Sequence, residues 1–296
     1  MDTETEIREF LTTRRAKLTP SQAGLPTFGR QRRVAGLRRE EVALLAGISV
    51  EYYTRLERGN ARGVSESVLD AVSTALQLDE AEHDHLLDLA RTANAELPPR
   101  RAPAPAKVRP SVARIVDAMV GIPAIVRNGR LDILYANAMG RALYSELYRD
   151  PRGPNHARFA FLDPRSRLFW ADWEQGASDC VALLHAEAGR NPYDKALTDL
   201  VGELSTRSPE FRVRWAAHNV KNHRSGTKRL HHPLVGDLTL SFEALDLPAD
   251  GGLAVMTYAA EPGSVSEARL RELEQWVATR EQLVAVAEGD ATEREG

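Results

Sequence analysis

The sequence contains only one cysteine, Cys180, among its 296 residues. An internal disulfide and a metal site built from several cysteines are therefore excluded. The sequence also has no run of about 18 apolar residues, so we expect no transmembrane helix and no membrane partner. The acidic N-terminus, residues 1–6, lacks the apolar segment of a signal peptide, and we expect a cytoplasmic protein.

The short motifs of several common enzyme classes are also missing. The sequence has no Gly-x-Ser-x-Gly, no P-loop, no Gly-x-Gly-x-x-Gly and no His-Glu-x-x-His. Serine, histidine and aspartate are frequent enough that a catalytic triad could be assembled from them, but no local sequence pattern supports one. We therefore expect no enzymatic activity and no catalytic residues.

Charge of one sign is concentrated in two adjacent segments, although the net charge is only −3. Residues 8–62 hold twelve Lys/Arg and five Asp/Glu, whereas residues 63–98 hold one Arg and eight Asp/Glu. The near-zero net charge thus hides a basic segment of the kind that contacts phosphates. Chance clustering on a solvated surface is the alternative, and charge alone does not decide between the two.

A proline-rich stretch at residues 97–110 divides the chain. Its five prolines are incompatible with a continuous helix or a central strand, so we predict an extended linker. The predicted domains are residues 1–96, this linker, residues 111–262, and a C-terminal helix with an acidic tail at residues 263–296.

The two halves have different periodicities. Apolar residues before the linker recur at helical spacing without a convincing strand pattern, which predicts an all-α domain of about five helices. After the linker, strands are predicted at residues 122–126, 131–135, 238–245 and 253–258. The Asn128-Gly129 pair predicts a hairpin, and Asn137 is predicted to cap a helix that runs to Leu147. The second domain is therefore predicted to be α+β.

Residues 39–58 have the spacing of a helix-turn-helix. Ala43 is small enough for two helices to cross, Gly47 suits a left-handed helix end, and Ser49 is a good N-cap. A plain αα-hairpin explains these residues equally well. It does not explain the arginines that precede and begin the motif, which lie where phosphates are expected. These arginines are Arg30, Arg32, Arg33, Arg38 and Arg39.

The outer face of the second motif helix is predicted to enter the major groove, with its N-terminal end nearest the bases. The residues predicted on this face are Ser49, Val50, Glu51, Thr54, Arg55 and Arg58. We expect Arg58 to contact either bases or backbone and the five arginines to set the register on phosphates.

The segment GLRREEVALLAGISVEYYTRLERG at residues 36–59 closely resembles the XRE-family helix-turn-helix of MmyB-like bacterial transcriptional regulators. The resemblance continues beyond the linker in a tract that includes Trp215, His218, Gly226, Pro233 and Gly236, and it covers nearly the whole chain. It implies a lambda-repressor-like N-terminal domain and a C-terminal PAS-like domain for which a fatty-acid-like ligand is proposed.

Residues 211–232 hold six Lys/Arg, four His and no Asp/Glu. One interpretation is an apolar pocket with cations at its mouth, suited to an amphiphile with a carboxylate head. The other is a basic surface whose aromatic residues belong to the core. The candidate ligand-binding residues are Trp215, His218, Asn219, His223, Lys228 and His231.

Metal binding is not expected from this tract. His218 and His223 have a spacing found in zinc sites, but cysteine or acidic partners are scarce nearby in the sequence. Cys180 lies in an apolar helical pattern, which favours a buried, inert thiol over a redox sensor.

Together these patterns predict a sequence-specific DNA-binding regulator whose activity depends on a small amphiphilic ligand, with no other cofactor expected. A homodimer on a pseudo-palindromic operator in the bacterial nucleoid is expected, because such domains usually bind paired half-sites. The alternative is a ligand-independent regulator whose second domain serves dimerisation or protein interaction. A small phage-type repressor is disfavoured by the long second domain.

Overall fold

The computed structural model describes residues 2–26, 34–94, 107–220 and 224–294. The chain forms two compact units, one of residues 1–103 with 181–222 and one of residues 104–180 with 223–296. Residues 181–222 thus cluster with the N-terminal unit, although they fall inside the domain predicted at residues 111–262. No helix among the described residues is long and apolar enough to cross a membrane.

Among the described residues, five helices precede the predicted linker, in agreement with the expected number. They are α1 (Thr3–Lys17), α2 (Arg39–Ala46), α3 (Val50–Glu57), α4 (Glu66–Ala75) and α5 (Glu80–Asn94). Their core is built from aliphatic residues and from Phe10 and Tyr53, and it also includes Val220 from the later segment. Helices α11 (Lys195–Arg207) and α12 (Pro209–Trp215) belong to the same unit. This part of the chain has no strand among its described residues.

The second unit is α+β. Its antiparallel sheet has the order β2-β1-β5-β4-β3. The strands are β1 (Ala124–Arg127), β2 (Ile133–Ala136), β3 (Ser225–His232), β4 (Gly236–Asp246) and β5 (Ala254–Ala259). The remaining helices are α6 (Pro110–Asp117), α7 (Ala138–Leu143), α8 (His156–Leu162), α9 (Ser166–Phe169), α10 (Trp173–Arg190) and α13 (Val265–Arg294). The unit boundary falls inside α10. The predicted fold class is confirmed, with a helical N-terminal region and an α+β second domain built on a five-stranded antiparallel sheet.

The predicted β1–β2 hairpin is present, and Asn137 caps α7 as expected. The Asn137 Oδ1 accepts hydrogen bonds from the backbone N–H of Gly140 at 2.7 Å and of Ala124 at 3.0 Å, so one side chain fixes both α7 and the start of β1. The prediction that this helix runs to Leu147 is wrong. It ends at Leu143, because Tyr144 leaves the helical backbone angles and its ring packs edge-on against Tyr258.

Strand β3 is absent from the sequence-based prediction. It lies at the edge of the sheet, where it pairs with β4, and a single antiparallel bridge joins its Leu230 to Trp170. Most of its side chains are exposed, and only Leu230 and His232 are buried. An edge strand with this composition lacks the apolar alternation by which a half-buried strand is recognised.

Candidate nucleic-acid interface

Helices α2 and α3 form the predicted helix-turn-helix. Gly47 ends α2 with a φ of 65°, a left-handed conformation that glycine adopts without strain. The Ser49 hydroxyl then accepts a hydrogen bond from the Tyr52 N–H at 3.0 Å and caps α3. At the other end of α2, the Glu41 carboxylate accepts the Arg38 backbone N–H at 2.7 Å. These local contacts fix where each helix begins and ends.

The inner faces of the two helices are buried as predicted. Val42, Tyr53 and Leu56 have no exposed surface, and Ala43 and Ala46 are also buried. The small Ala43 lies on this buried face, where a larger side chain would push the helices apart. Burial of one face of α3 leaves the opposite face to solvent.

The exposed face of α3 carries the residues predicted to contact bases. Thr54 is half-buried, and the others are exposed: Ser49, Val50, Glu51, Arg55 and Arg58. The Arg55 guanidinium carbon lies 4.7 Å from the centre of the Tyr52 ring, so the aromatic ring supports the arginine on this face. Tyr52 was not among the predicted site residues.

The predicted phosphate-contacting arginines have different surroundings. Arg38 is exposed and lies 3.4 Å from Glu40. Arg39 is 45% exposed and pairs with the carboxylate of Glu57. Arg30, Arg32 and Arg33 lie outside the described residues.

Glu57 connects three helices of the unit, a role that the sequence did not reveal. Its side chain is fully buried, and it lies 2.5 Å from the Arg15 guanidinium of α1 while it also pairs with Arg39 of α2. The Tyr53 hydroxyl donates to the same carboxylate at 3.5 Å. Burial, aided by the Glu57 charge, raises the pKa of Tyr53 well above its ordinary value. The carboxylate thus holds α2 and α3 against α1.

The basic residues of α1 are not all at the surface. Arg14 is 5% exposed, and its guanidinium lies 3.1 Å from Glu82 and donates to the backbone oxygen of His218. Ile7, Phe10 and Leu11 of the same helix are buried. Arg14 therefore belongs to the interior of the unit, where acidic and carbonyl partners offset its charge.

The candidate ligand-binding residues belong to both compact units. In the N-terminal unit, Trp215 stacks on His185 with ring centres 3.7 Å apart, His218 is buried, and Asn219 accepts a hydrogen bond from Lys17 at 2.5 Å. His223 lies outside the described residues.

The other two ligand candidates lie on strand β3 of the second unit. Lys228 lies 3.5 Å from Asp179, and the exposed His231 lies 2.6 Å from Asp237. Whether any of the candidates binds a ligand stays a prediction.

Trp215 and His218 line an open groove of about 560 Å³ in the N-terminal unit. The other lining residues are Arg8, Glu9, Thr12, Thr13 and Ala216.

Cys180 is buried as predicted. Burial raises the pKa of its thiol to about 12, which keeps the sulfur protonated and unreactive at neutral pH.

Comparisons with known families agree with this architecture. Residues 27–86 match the model of a helix-turn-helix domain, and residues 108–273 match the MmyB-like transcription regulator ligand binding domain. A search of curated proteins gives no match. Because the second match covers more than half of the chain, and the first coincides with α2 and α3, the chain belongs to the MmyB-like helix-turn-helix transcription regulators, which bind DNA and carry a C-terminal ligand-binding domain.

Proposed function

We propose that the exposed face of α3 reads base edges in the major groove and that arginines before and at the start of α2 hold the phosphates. The observation that carries this proposal is the two-sided character of α3, with Tyr53 and Leu56 fully buried and Arg55 exposed opposite them. A helix presented in this way fits into the major groove of DNA. The base-contacting residues in this proposal are Ser49, Val50, Glu51, Thr54, Arg55 and Arg58.

The test begins with selection of bound DNA from a random pool by the full-length protein. An enriched inverted repeat supplies the operator against which variants are measured. Failure to enrich any sequence would overturn specific recognition.

Arg55→Ala is expected to weaken operator binding by about 1–3 kcal/mol, because an arginine that pairs with guanine makes two hydrogen bonds to the base. Arg91→Ala is the matched control, since Arg91 is an exposed arginine on α5 away from α3. Equal losses on operator and random DNA would show that Arg55 contacts only the backbone.

The regulator acts in this proposal as a cytoplasmic homodimer on a pseudo-palindromic site, with α13 and the PAS-like domain as the dimer surfaces. Support comes from the geometry of helix-turn-helix proteins, whose two-fold symmetry matches paired half-sites. Trp276 of α13 is 36% exposed and adds an aromatic ring to this helix surface. Light scattering of the free protein and of its operator complex measures the stoichiometry. A monomer in both states would exclude the dimer.

The proposed ligand of the PAS-like domain is a small amphiphile with an anionic head. The family match supports a ligand in residues 108–273, and Lys228 of β3 supplies a cation that is 23% exposed and lies 5.4 Å from the Phe242 ring. The ligand must bind one arrangement of the protein more tightly than another to change DNA binding. In this proposal residues 1–96 bind DNA and residues 111–262 bind the ligand.

Native mass spectrometry of the purified protein tests for this ligand. A co-purified mass that is released on denaturation and identified as an acyl compound supports the proposal. A bare chain mass, together with no effect of added fatty acids on operator binding, would favour the ligand-independent alternative. Lys228→Ala is expected to reduce retention of the ligand, with the exposed Lys195→Ala of α11 as control.

A further inference from the structure

Three side chains from distant parts of the sequence converge inside the N-terminal unit. Glu6 belongs to α1, His185 to α10, and His218 follows α12. One ligand atom from each residue lies within 4.8 Å of the other two. The Glu6 Oε2 is 3.7 Å from the His218 Nδ1 and 4.0 Å from the His185 Nδ1. The two histidine side chains are 1% and 7% exposed, so the cluster lies inside the unit.

Hydrogen bonds fix the protonated nitrogen of each imidazole. The His185 Nε2 is 2.8 Å from the carbonyl oxygen of Trp215, which can only accept, so Nε2 carries the proton. The His218 Nε2 is 2.9 Å from the Glu9 carboxylate and is the donor there as well. In the neutral ring the Nδ1 atom then has a lone pair. Within the described part of the chain, neither Nδ1 has a hydrogen-bond partner.

Two imidazole lone pairs and one carboxylate therefore point toward the same small volume. A neutral imidazole with a free lone pair is the form of histidine that binds metals. A buried hydrogen-bond acceptor without a donor lowers the stability of a folded protein, so the two Nδ1 atoms require an explanation. A cation that accepts both lone pairs is such an explanation.

The charges around the cluster favour a cation. Glu6 and Glu9 both bring a carboxylate to the cluster, with oxygens 3.7 Å and 2.9 Å from the nitrogens of His218. Arg14 and Lys17 bring positive charge to this part of the unit, since Arg14 donates to the backbone oxygen of His218 and Lys17 donates to the side chain of Asn219. Arg14 is paired with Glu82 at 3.1 Å, so its charge is offset locally.

We infer that Glu6, His185 and His218 form a binding site for a divalent transition-metal ion of the zinc class. Two histidines and one carboxylate are an established ligand set for such ions, and a fourth position is then filled by water or another small ligand. The Glu9 carboxylate and the Trp215 carbonyl hold the outer nitrogens of the two rings, as the supporting groups of metal-binding histidines do.

The ligand atoms must move closer together to hold an ion. Metal–ligand bonds of about 2.1 Å at tetrahedral angles place ligand atoms about 3.4 Å apart. The two separations from Glu6, 3.7 Å and 4.0 Å, exceed this by a few tenths of an ångström, which side-chain rotation can supply, and the two histidine nitrogens lie within 4.8 Å of each other. His218 also has a φ of 47°, an uncommon conformation for a residue other than glycine, and it turns the chain sharply after α12.

The ion would connect α1 to the segment of residues 181–222. Glu6 comes from outside the matched ligand-binding region, whereas His185 and His218 lie within residues 108–273. Metal binding is therefore expected to stabilise the packing of α1 in this unit, because a ligand that binds only the folded state raises stability by mass action.

The first experiment uses the untagged full-length protein after treatment with a chelator and dialysis. Titration with Zn²⁺ by calorimetry is expected to show one site per chain, and the melting temperature is expected to rise with Zn²⁺. Pulsed electron paramagnetic resonance with Cu²⁺ as the probe is expected to show two coordinated imidazoles. Absence of stoichiometric binding of both ions would overturn the proposal, and this result does not depend on any variant.

Matched variants locate the site. Glu6→Gln keeps the shape of the side chain and is expected to weaken Zn²⁺ binding at least tenfold, whereas Glu4→Gln on the exposed face of the same helix leaves it unchanged. His185→Gln and His218→Gln are each expected to remove one imidazole from the Cu²⁺ spectrum. His83→Gln is the control, since His83 contacts Ser73 and Asp70 on another face of the unit.

Circular dichroism verifies that each variant is folded. Zn²⁺ binding that survives unchanged in all three folded variants would place the ion elsewhere and overturn the assignment. If the histidine variants do not fold, the Glu6→Gln and Glu4→Gln pair with the wild-type Cu²⁺ spectrum still decides the question. If Glu6→Gln loses Zn²⁺ binding but still binds the operator like the wild-type protein, the metal site is supported. This result does not depend on the proposed contacts of α3 with bases.

Discussion

Glu57 forms ion pairs with two arginines, although it lies on the inner side of α3. Its carboxylate is fully buried between the guanidinium groups of Arg15 and Arg39. A buried carboxylate of this kind is stabilising only while its partners remain, and its loss leaves the half-buried guanidinium of Arg15 without its counter-charge. Glu57 therefore holds α1, α2 and α3 in their relative positions.

We expect Glu57→Gln to lower the free energy of unfolding by about 1–3 kcal/mol, because charge-assisted hydrogen bonds are replaced by weaker ones. Urea denaturation followed by circular dichroism measures the effect. Glu40→Gln is the control, since the Glu40 side chain is 62% exposed and is expected to change stability by less than about 0.5 kcal/mol. Equal stability of the two variants would show that the buried ion pairs contribute little.

His156 gives a prediction about pH. Burial, together with the positive charges of Arg127 and Lys228, lowers its pKa from 6.5 to about 3. Its ring packs edge-on against Tyr144 with ring centres 5.0 Å apart. Below pH 6.5 the unfolded chain binds a proton at this residue and the folded chain does not. The stability from neutral His156 is therefore complete above pH 6.5 and is lost as the pH falls toward 3.

In His156→Phe this titration is removed. Acidification from about pH 8 to about pH 5 is then expected to cost the wild-type protein more unfolding free energy than the variant. Urea denaturation of both proteins across this range measures the difference, in which contributions from the other histidines cancel. The difference is expected to be constant above about pH 7.5, which serves as an internal control. A difference that stays constant throughout would contradict a neutral, buried imidazole.

At the scale of helices and strands, two positions of the helix-turn-helix region require glycine for different reasons. Gly47 has a φ of 65°, and the space that an added Cβ would occupy is open, so only backbone strain opposes alanine. Gly59 has a φ of 101°, and an added Cβ would lie 2.2 Å from the backbone oxygen of Glu4 in α1. The second glycine is therefore required for close approach of two segments.

Gly47→Ala is accordingly expected to cost about 1–2 kcal/mol of stability. Gly59→Ala is expected to cost clearly more, because the backbone of α1 must also move. Thermal denaturation of the two variants gives the ranking. A smaller loss for Gly59→Ala than for Gly47→Ala would contradict the close contact with α1.

The sequence predicted the elements whose signals are local. Gly47, Ser49 and the spacing of Val42, Tyr53 and Leu56 define α2 and α3, and Asn128-Gly129 defines the first hairpin, because each signal lies within a few residues. Strand β3 was not predicted, since an exposed edge strand lacks apolar alternation. The end of α7 was misplaced because packing of the Tyr144 ring, and not helix propensity, decides where the helix stops.

At the scale of the whole molecule, the convergence of distant segments could not be predicted. The scarcity of acidic residues near His218 in the sequence argued against a metal, yet the fold brings Glu6 and Glu9 to it from α1. Glu57 likewise meets Arg15 across 42 positions. Such contacts depend on the complete fold, and a single sequence gives no direct signal of them.

The N-terminal unit includes residues 181–222, so we expect a fragment of residues 1–96 to lack part of the core of this unit. Such a fragment lacks Val220, which is 6% exposed in the core of this unit, and the partners of Arg14 at His218 and Asn219. We expect amide hydrogen exchange in α1 to be faster in the fragment than in the full chain. Exchange in α4, which packs against α2 and α5, is the internal control. Equal protection of α1 in both proteins would show that residues 181–222 do not stabilise it.

The buried carboxylate of Glu57 has a further consequence for ion release on DNA. Each phosphate that a protein cation neutralises frees condensed counterions, and the logarithm of the affinity falls with the logarithm of salt concentration by about 0.9 per phosphate. Arg15 and Arg39 share the charge of Glu57, and Arg14 faces Glu82. We therefore expect the basic segment to displace fewer counterions than its twelve cations suggest. The affinity for the operator is then expected to fall less steeply with salt concentration than twelve unpaired cations would predict.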